Sequence, residues 1–103
     1  MFTGAFIFMS KSACSDQHNT QLSYGKERIL IFGVSTVEEG IGVAKRIAEE
    51  ESCRIIDLCG GFDEAAARAV RQAVGDKALV GYTTYFSEDA KLKKDVLEEL
   101  TNS

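Results

Sequence analysis

The chain has 103 residues, of which 45% are hydrophobic and 27% are charged, as in an ordinary soluble globular protein. This length allows a single core, so we predict one α/β domain spanning residues 1–103. The net charge is −4 and the twelve basic residues are scattered along the chain, which argues against a nucleic-acid partner.

The apolar run at residues 1–9 has to be distinguished from a targeting segment. No basic residue precedes it, and it is too short for a signal-peptide core or a membrane span. We therefore interpret it as a strand and expect a cytoplasmic protein with no membrane partner. The three cysteines are then expected to be free thiols, since their odd number and spacing fit neither a disulfide framework nor a zinc site.

Two strands are predicted in the first third of the chain, Phe2–Met9 and Arg28–Val34. Both are apolar at odd and even positions, which is typical of strands buried on both faces of a sheet. The segment Ser10–Lys26 between them has no long apolar stripe and contains the single histidine, His18. We expect this segment to be a functional loop or lid, because long unstructured segments in small domains usually are.

The rest of the chain alternates between helices and strands. Ser35 or Thr36 begins a capping-box pattern that predicts a helix to about Glu51. Asp63 is placed to cap a second helix, and Ser87 a third. Two further strands are expected before these helices, 54–58 and 78–84.

This order predicts a small, mainly parallel four-stranded sheet covered by helices on both faces, in a half-Rossmann or flavodoxin-like arrangement. Such a sheet has two exposed edges, and the last helix is amphipathic, with its apolar stripe at Leu92, Val96 and Leu100. We therefore also expect the protein to be a homo-oligomer.

A ligand site is expected beyond the carboxyl ends of the parallel strands. The pair Gly60–Gly61 follows a strand directly and leads into a helix, an arrangement that directs backbone N–H groups towards an anion. Ser35, Tyr82 and Thr83 lie at other strand ends and are its expected partners. Because neither a dinucleotide nor a triphosphate fingerprint is present, and one histidine gives little for a metal, we expect no cofactor and no metal.

Two residues near this loop are candidates for catalysis. Asp57 is the one charge in an otherwise apolar strand, where it serves as an acid or base or is simply paired with an arginine at the sheet edge. Cys59 would share its strand face if the strand continued. The helix start after Cys59 favours a thiolate nucleophile and Asp57 disfavours it, whereas the structural alternative is a small buried hydrophobe.

The chain also resembles a family of small bacterial α/β proteins of unknown function. The likeness is carried by the opening Met1-Phe-x-Gly-Ala-Phe-Ile-Phe8, the strand end Gly33-Val34, the loop Leu58-Cys-Gly-Gly-Phe62 and the strand at Val80-Gly81. It covers residues 1–9 and most of 28–86. Family members often have a proline- and glycine-containing segment before the second strand, and this chain does not. The resemblance implies a fold and no activity.

Three functions are therefore open at the level of sequence. The first is a domain that binds a small anionic metabolite at the strand ends. The second is a small enzyme that uses Asp57 or Cys59, and the third is a self-associating module without catalysis.

Overall fold

The computed structural model describes residues 1–102 as one open sheet with three α-helices. The elements are β1 (Phe2–Met9), β2 (Asn19–Tyr24), β3 (Glu27–Val34), α1 (Val37–Glu50), β4 (Cys53–Leu58), α2 (Glu64–Val74), β5 (Leu79–Tyr82), a 3₁₀ turn (Ser87–Asp89) and α3 (Ala90–Asn102). The predicted alternation of strands and helices after β3 is confirmed.

The sheet has five strands, in the order β2-β3-β1-β4-β5. Strands β3, β1, β4 and β5 are parallel, whereas β2 runs antiparallel to β3 at one edge. The prediction of a mainly parallel sheet is thus confirmed and the count of four strands is wrong. The missing strand lies in the segment 10–26, which forms a β-hairpin with β3 as well as a loop.

The starts of α1 and α2 behave as their sequences indicate, whereas the predicted cap at Ser87 is wrong, because Ser87 begins the 3₁₀ turn before α3 and its hydroxyl donates to the Glu88 carboxylate at 3.1 Å. The Thr36 hydroxyl accepts a hydrogen bond from the Glu39 N–H at 3.1 Å, so the cap of α1 is Thr36 rather than Ser35. The Asp63 carboxylate accepts from the Ala66 N–H at 2.8 Å at the start of α2. These caps fix where each crossover helix leaves the carboxyl edge of the sheet.

Helices α1 and α2 pack side by side on one face of the sheet and enclose the core. Alternate strand residues such as Ala5, Ile7, Leu30 and Ile56 point into it. Phe62, in the turn before α2, is the largest fully buried side chain and is 1% exposed. The core therefore lies between two helices and a single sheet face.

The opposite face of the sheet is not covered by any helix of residues 1–102, so the prediction of helices on both faces is wrong. The third helix, α3, is exposed along its whole length and does not pack on either face. None of the helices in the described part of the chain is both long and apolar enough to cross a membrane. The apolar residues at both parities of β1 and β3 thus mark one covered face and one open face.

Candidate functional site

The carboxyl edge of the parallel strands brings four turns together, and we call this edge the rim: Met9–Ser10, Val34–Ser35, Leu58–Gly61 and Tyr82–Thr83. Hydrogen bonds join these turns directly. The Cys59 N–H donates to the Ile7 carbonyl at 3.0 Å, and the Ser10 N–H donates to the Val34 carbonyl at 2.9 Å. The loop containing the two glycines is thereby fixed against β1.

The sulfur of Cys59 is an acceptor for two backbone N–H groups at the rim. The Met9 N–H lies 3.2 Å from Sγ and the Gly61 N–H lies 3.3 Å from it. The side chain is half-buried and packs against the core. Two N–H groups from different turns of the rim therefore point at one atom, the Cys59 sulfur, which accepts from both of them.

Gly60 lies directly beneath the ring of Tyr85. A Cβ built on Gly60 would be 2.5 Å from the Tyr85 hydroxyl oxygen, so a side chain at this position would displace the ring. The Lys93 ammonium in turn lies 5.7 Å from the centroid of the same ring. Tyr85 therefore places a hydroxyl and a nearby positive charge over the loop.

Two of the predicted ligand-binding side chains are already hydrogen bonded within the protein. The Ser35 N–H and hydroxyl donate to the same oxygen of Glu39, at 2.9 and 3.3 Å. The Thr83 N–H and hydroxyl both donate to the Leu58 carbonyl, at 3.0 and 3.1 Å. Tyr82 is exposed at the end of the edge strand β5, beside the arginines of α2. Binding of an anion by these residues remains a prediction.

Asp57 and Cys59 do not share a face. Strand β4 ends at Leu58, so Cys59 turns towards the core while Asp57 lies on the open face between Phe6 and Gly81 of the neighbouring strands. A cavity of about 230 Å³ on that face is lined by Asp57 together with Phe6, Ile55 and other residues. The expectation of a shared strand face is wrong because the strand stops one residue earlier. A catalytic role for either residue stays a prediction.

Glu39 is the residue at the rim that sequence reasoning assigned only to a helix cap. Its second carboxylate oxygen accepts from the Ser15 N–H at 2.8 Å, which ties the segment before β2 to the start of α1. The hydrogen bonds from Ser15 and then Ser35 lower the pKa of Glu39 to about 2. In the sequence, the position of Glu39 three residues after Thr36 indicates a capping box. Its other partner, Ser15 in the Ser10–Lys26 segment, is distant in sequence.

The remaining polar groups offer no metal centre. His18 is exposed in the segment before β2, where its Nδ1 accepts from the Cys14 N–H at 2.9 Å. No group of three metal-binding side chains comes together among residues 1–102. The groups present at the rim are backbone N–H groups, hydroxyls, lysines, one thiol and the carboxylate of Glu39.

Comparison with known proteins agrees with the fold and adds no activity. No curated protein is a significant match to this chain. One family matches it over residues 2–98, which is nearly the whole length of the chain and includes every turn of the rim. The chain therefore belongs to a family of unknown function, DUF6506.

Proposed function

We propose that the protein binds a small anionic metabolite at the rim, around the turn from Cys59 to Gly61. The observation that carries the proposal is the convergence of the Met9 and Gly61 N–H groups on one point. Such N–H groups bind anions without a charged side chain. The Cys59 sulfur occupies that point, so an anion would bind beside it.

The charges around the rim support an anionic ligand. Lys93 lies over Tyr85, and Lys11 donates to the Thr101 carbonyl at 3.1 Å at the far end of α3. Both ammonium groups are on elements that adjoin the rim. The carboxylate of Glu39, which accepts from Ser35, would repel an anion there, so we expect the ligand on the Gly60 side of the rim. The three thiols are all free, in keeping with the cytoplasmic location that we propose.

The proposal is tested by thermal unfolding in the presence of inorganic phosphate, glucose 6-phosphate and malate, with potassium chloride at equal ionic strength as the blank. A ligand at ten times its Kd contributes about 1.4 kcal/mol to stability. For a domain of this size that is a rise in Tm of several degrees. If none of these anions raises Tm at concentrations well above millimolar, anion binding is excluded for these classes.

Two glycine variants locate the effect. Gly60→Ala would push the Tyr85 hydroxyl away from the loop, whereas a methyl group at Gly42 meets no atom within 4 Å. We expect Gly60→Ala to lose the anion-dependent rise in Tm and Gly42→Ala to retain it. A rise that survives in Gly60→Ala would move the binding site away from this turn.

A second candidate, a reactive Cys59 thiol, is favoured by the same two N–H donors, because they stabilise negative charge on sulfur. In a Cys14→Ser background, the iodoacetamide reaction of the folded protein at pH 7 should then be faster than that of free cysteine. Burial raises the pKa of Cys53, which should stay unmodified and serve as the internal reference. A reaction no faster than that of free cysteine, or one that persists in Cys59→Ser, excludes this candidate.

A further inference from the structure

The uncovered face of the sheet, which we call the open face, is apolar over all five strands. Nine of its residues are large and apolar, and five of these are exposed, among them Leu22 at 57% and Leu79 at 70%. The nine are Phe2, Phe6, Phe8, Leu22, Tyr24, Ile29, Ile31, Ile55 and Leu79. A continuous apolar surface of this kind is rare on monomeric soluble proteins and usually marks an interaction site.

Helix α3 carries a second exposed apolar surface, which we call the α3 stripe: Phe86, Leu92, Val96, Leu97 and Leu100. The first two are 78% and 61% exposed. The helical members Leu92, Val96 and Leu100 recur every four residues, with Leu97 three residues before Leu100, and so share one side of the helix. An apolar stripe of this kind is typical of a helix that packs on another apolar surface.

The two surfaces carry charges of opposite sign. Asp57 lies in the interior of the open face and forms no hydrogen bond or ion pair with any of residues 1–102, and Glu27 lies at the border of that face beside Phe2 and Tyr24. Lys93 stands three residues before Val96 and four before Leu97, on the side of α3 that carries the stripe; its ammonium, 5.7 Å from the centroid of the Tyr85 ring, would leave that ring to reach a second copy. The two surfaces are therefore complementary in charge as well as in apolar character.

We propose that α3 of one copy packs on the open face of a second copy, reciprocally about a two-fold axis, with Lys93 paired to Asp57 across the interface. A self-complementary contact of this kind is the commonest way in which soluble proteins form dimers. The Lys93–Asp57 pair, made twice by the two-fold axis, fixes the position of each helix on the open face.

The available area fits a stable dimer only when both surfaces take part. Five strands spaced about 4.8 Å apart and six residues long give an open face of roughly 480 Å². The α3 stripe adds roughly 200 Å², from a helix about 20 Å long and 10 Å wide. Stable interfaces bury about 800 Å² per partner, so the open face alone falls well short and the two surfaces together approach it.

Contacts at both ends of the segment hold α3 near the rim and away from the open face of its own chain. Tyr85, just before the helix, lies against Gly60, and the Thr101 carbonyl at the end of α3 accepts from Lys11. Gly60 and Lys11 both follow the carboxyl ends of central strands. The α3 stripe is thereby left available to a second copy.

The proposal is tested by sedimentation velocity with two charge-reversal variants. We expect Asp57→Lys and Lys93→Asp each to be monomeric at concentrations at which the wild type is dimeric, since each homodimer would hold two repulsive pairs. An equimolar mixture of the two variants should dimerise, because both pairs in the mixed dimer are attractive. A mixture that stays monomeric overturns the pairing, and a wild type that is monomeric at 1 mM overturns the dimer.

An apolar-to-charged substitution tests the open face independently of the ion pair. Leu22→Glu adds a carboxylate to the open face at strand β2, and Gln21→Glu adds the same charge to the neighbouring residue on the opposite face. Both positions are exposed, so both variants should fold. We expect Leu22→Glu to weaken dimerisation at least tenfold and Gln21→Glu to leave it unchanged; equal effects would contradict the proposed interface.

Discussion

At the scale of single residues, Gly40 and Gly42 stand in the same helix with opposite surroundings. A Cβ at Gly40 would lie 2.9 Å from the ring of Phe62, which is buried and cannot move aside, whereas Gly42 faces open space. We expect Gly42→Ala to stabilise the protein by up to about 1 kcal/mol through helix propensity. Gly40→Ala should instead destabilise it by about 1–3 kcal/mol through overpacking. Urea unfolding of the two variants measures both; stabilisation by both would show that Phe62 has room to move.

Glu39 makes the stability of the same region depend on pH. Its pKa is lowered from 4.5 to about 2 in the folded protein, so its hydrogen bonds stabilise the native state fully above pH 4.5. That contribution is lost as the pH falls from 4.5 towards 2, because the carboxylate is then protonated.

The variant Glu39→Gln should consequently be less stable than the wild type at pH 7, and the difference should shrink below pH 4.5. Denaturant unfolding at pH 7, 4 and 3 measures the difference. Glu38→Gln is the control, since it removes an exposed carboxylate from the same helical turn. A difference for Glu39→Gln that is constant with pH would mean that the carboxylate does not hold Ser15 and Ser35.

At the scale of elements, the segments that the sequence predicted best are those whose apolar residues are buried between the sheet and helices α1 and α2. Strand β1 was predicted with the bounds that the structure has, because its apolar run is continuous, and the cap of α2 was predicted at Asp63, where the structure has it. Strand β2 was missed because its only large apolar residues, Leu22 and Tyr24, are exposed and too few to form a clear alternating pattern.

The candidate site was predictable in its location and not in its contacts. Topology places the ends of parallel strands at one edge, and the structure brings the turns at Ser35, Gly60 and Thr83 to it. Ser35 donates to Glu39 in the first turn of α1, and Thr83 donates to the Leu58 carbonyl at the point where β4 stops, 25 residues earlier. Side-chain partners of this kind have no periodic signal.

The turn of the β2–β3 hairpin leads to a further prediction, which concerns the backbone conformation of Gly25. Gly25 has φ of +53°, a left-handed conformation in which a Cβ costs roughly 1–2 kcal/mol, although no atom lies within 4 Å of the position. We expect Gly25→Ala to destabilise the protein by about that amount, and Gly25→Asn by less, because asparagine tolerates this conformation. Thermal unfolding measures the loss of stability in both variants. Equal losses would mean that backbone strain at residue 25 is not the cause.

At the scale of the whole molecule, one sheet and two helices form two layers, and only one face of the sheet is covered. Helices α1 and α2 complete the core on one side, while the open face and the α3 stripe leave most of the exposed large apolar side chains on the other elements. Apolar residues at both parities of β1 and β3 indicate burial on both faces, and in the dimer that we propose a second copy would supply the cover that α1 and α2 do not. On that proposal, the sequence pattern describes the assembly rather than the single chain.

Hydrogen exchange at two protein concentrations distinguishes the single chain from the assembly. An isolated helix of about 12–15 residues or fewer is marginal in water, and α3 has 13 residues and is held near the rim chiefly through Tyr85 and Lys11. Its amides should therefore exchange quickly at low micromolar concentration and at least tenfold more slowly in the dimer at 1 mM. The amides of β1, central in the sheet, should be slow at both concentrations. Fast exchange of α3 at both concentrations would remove it from the interface, and slow exchange at both would mean that its own chain holds it.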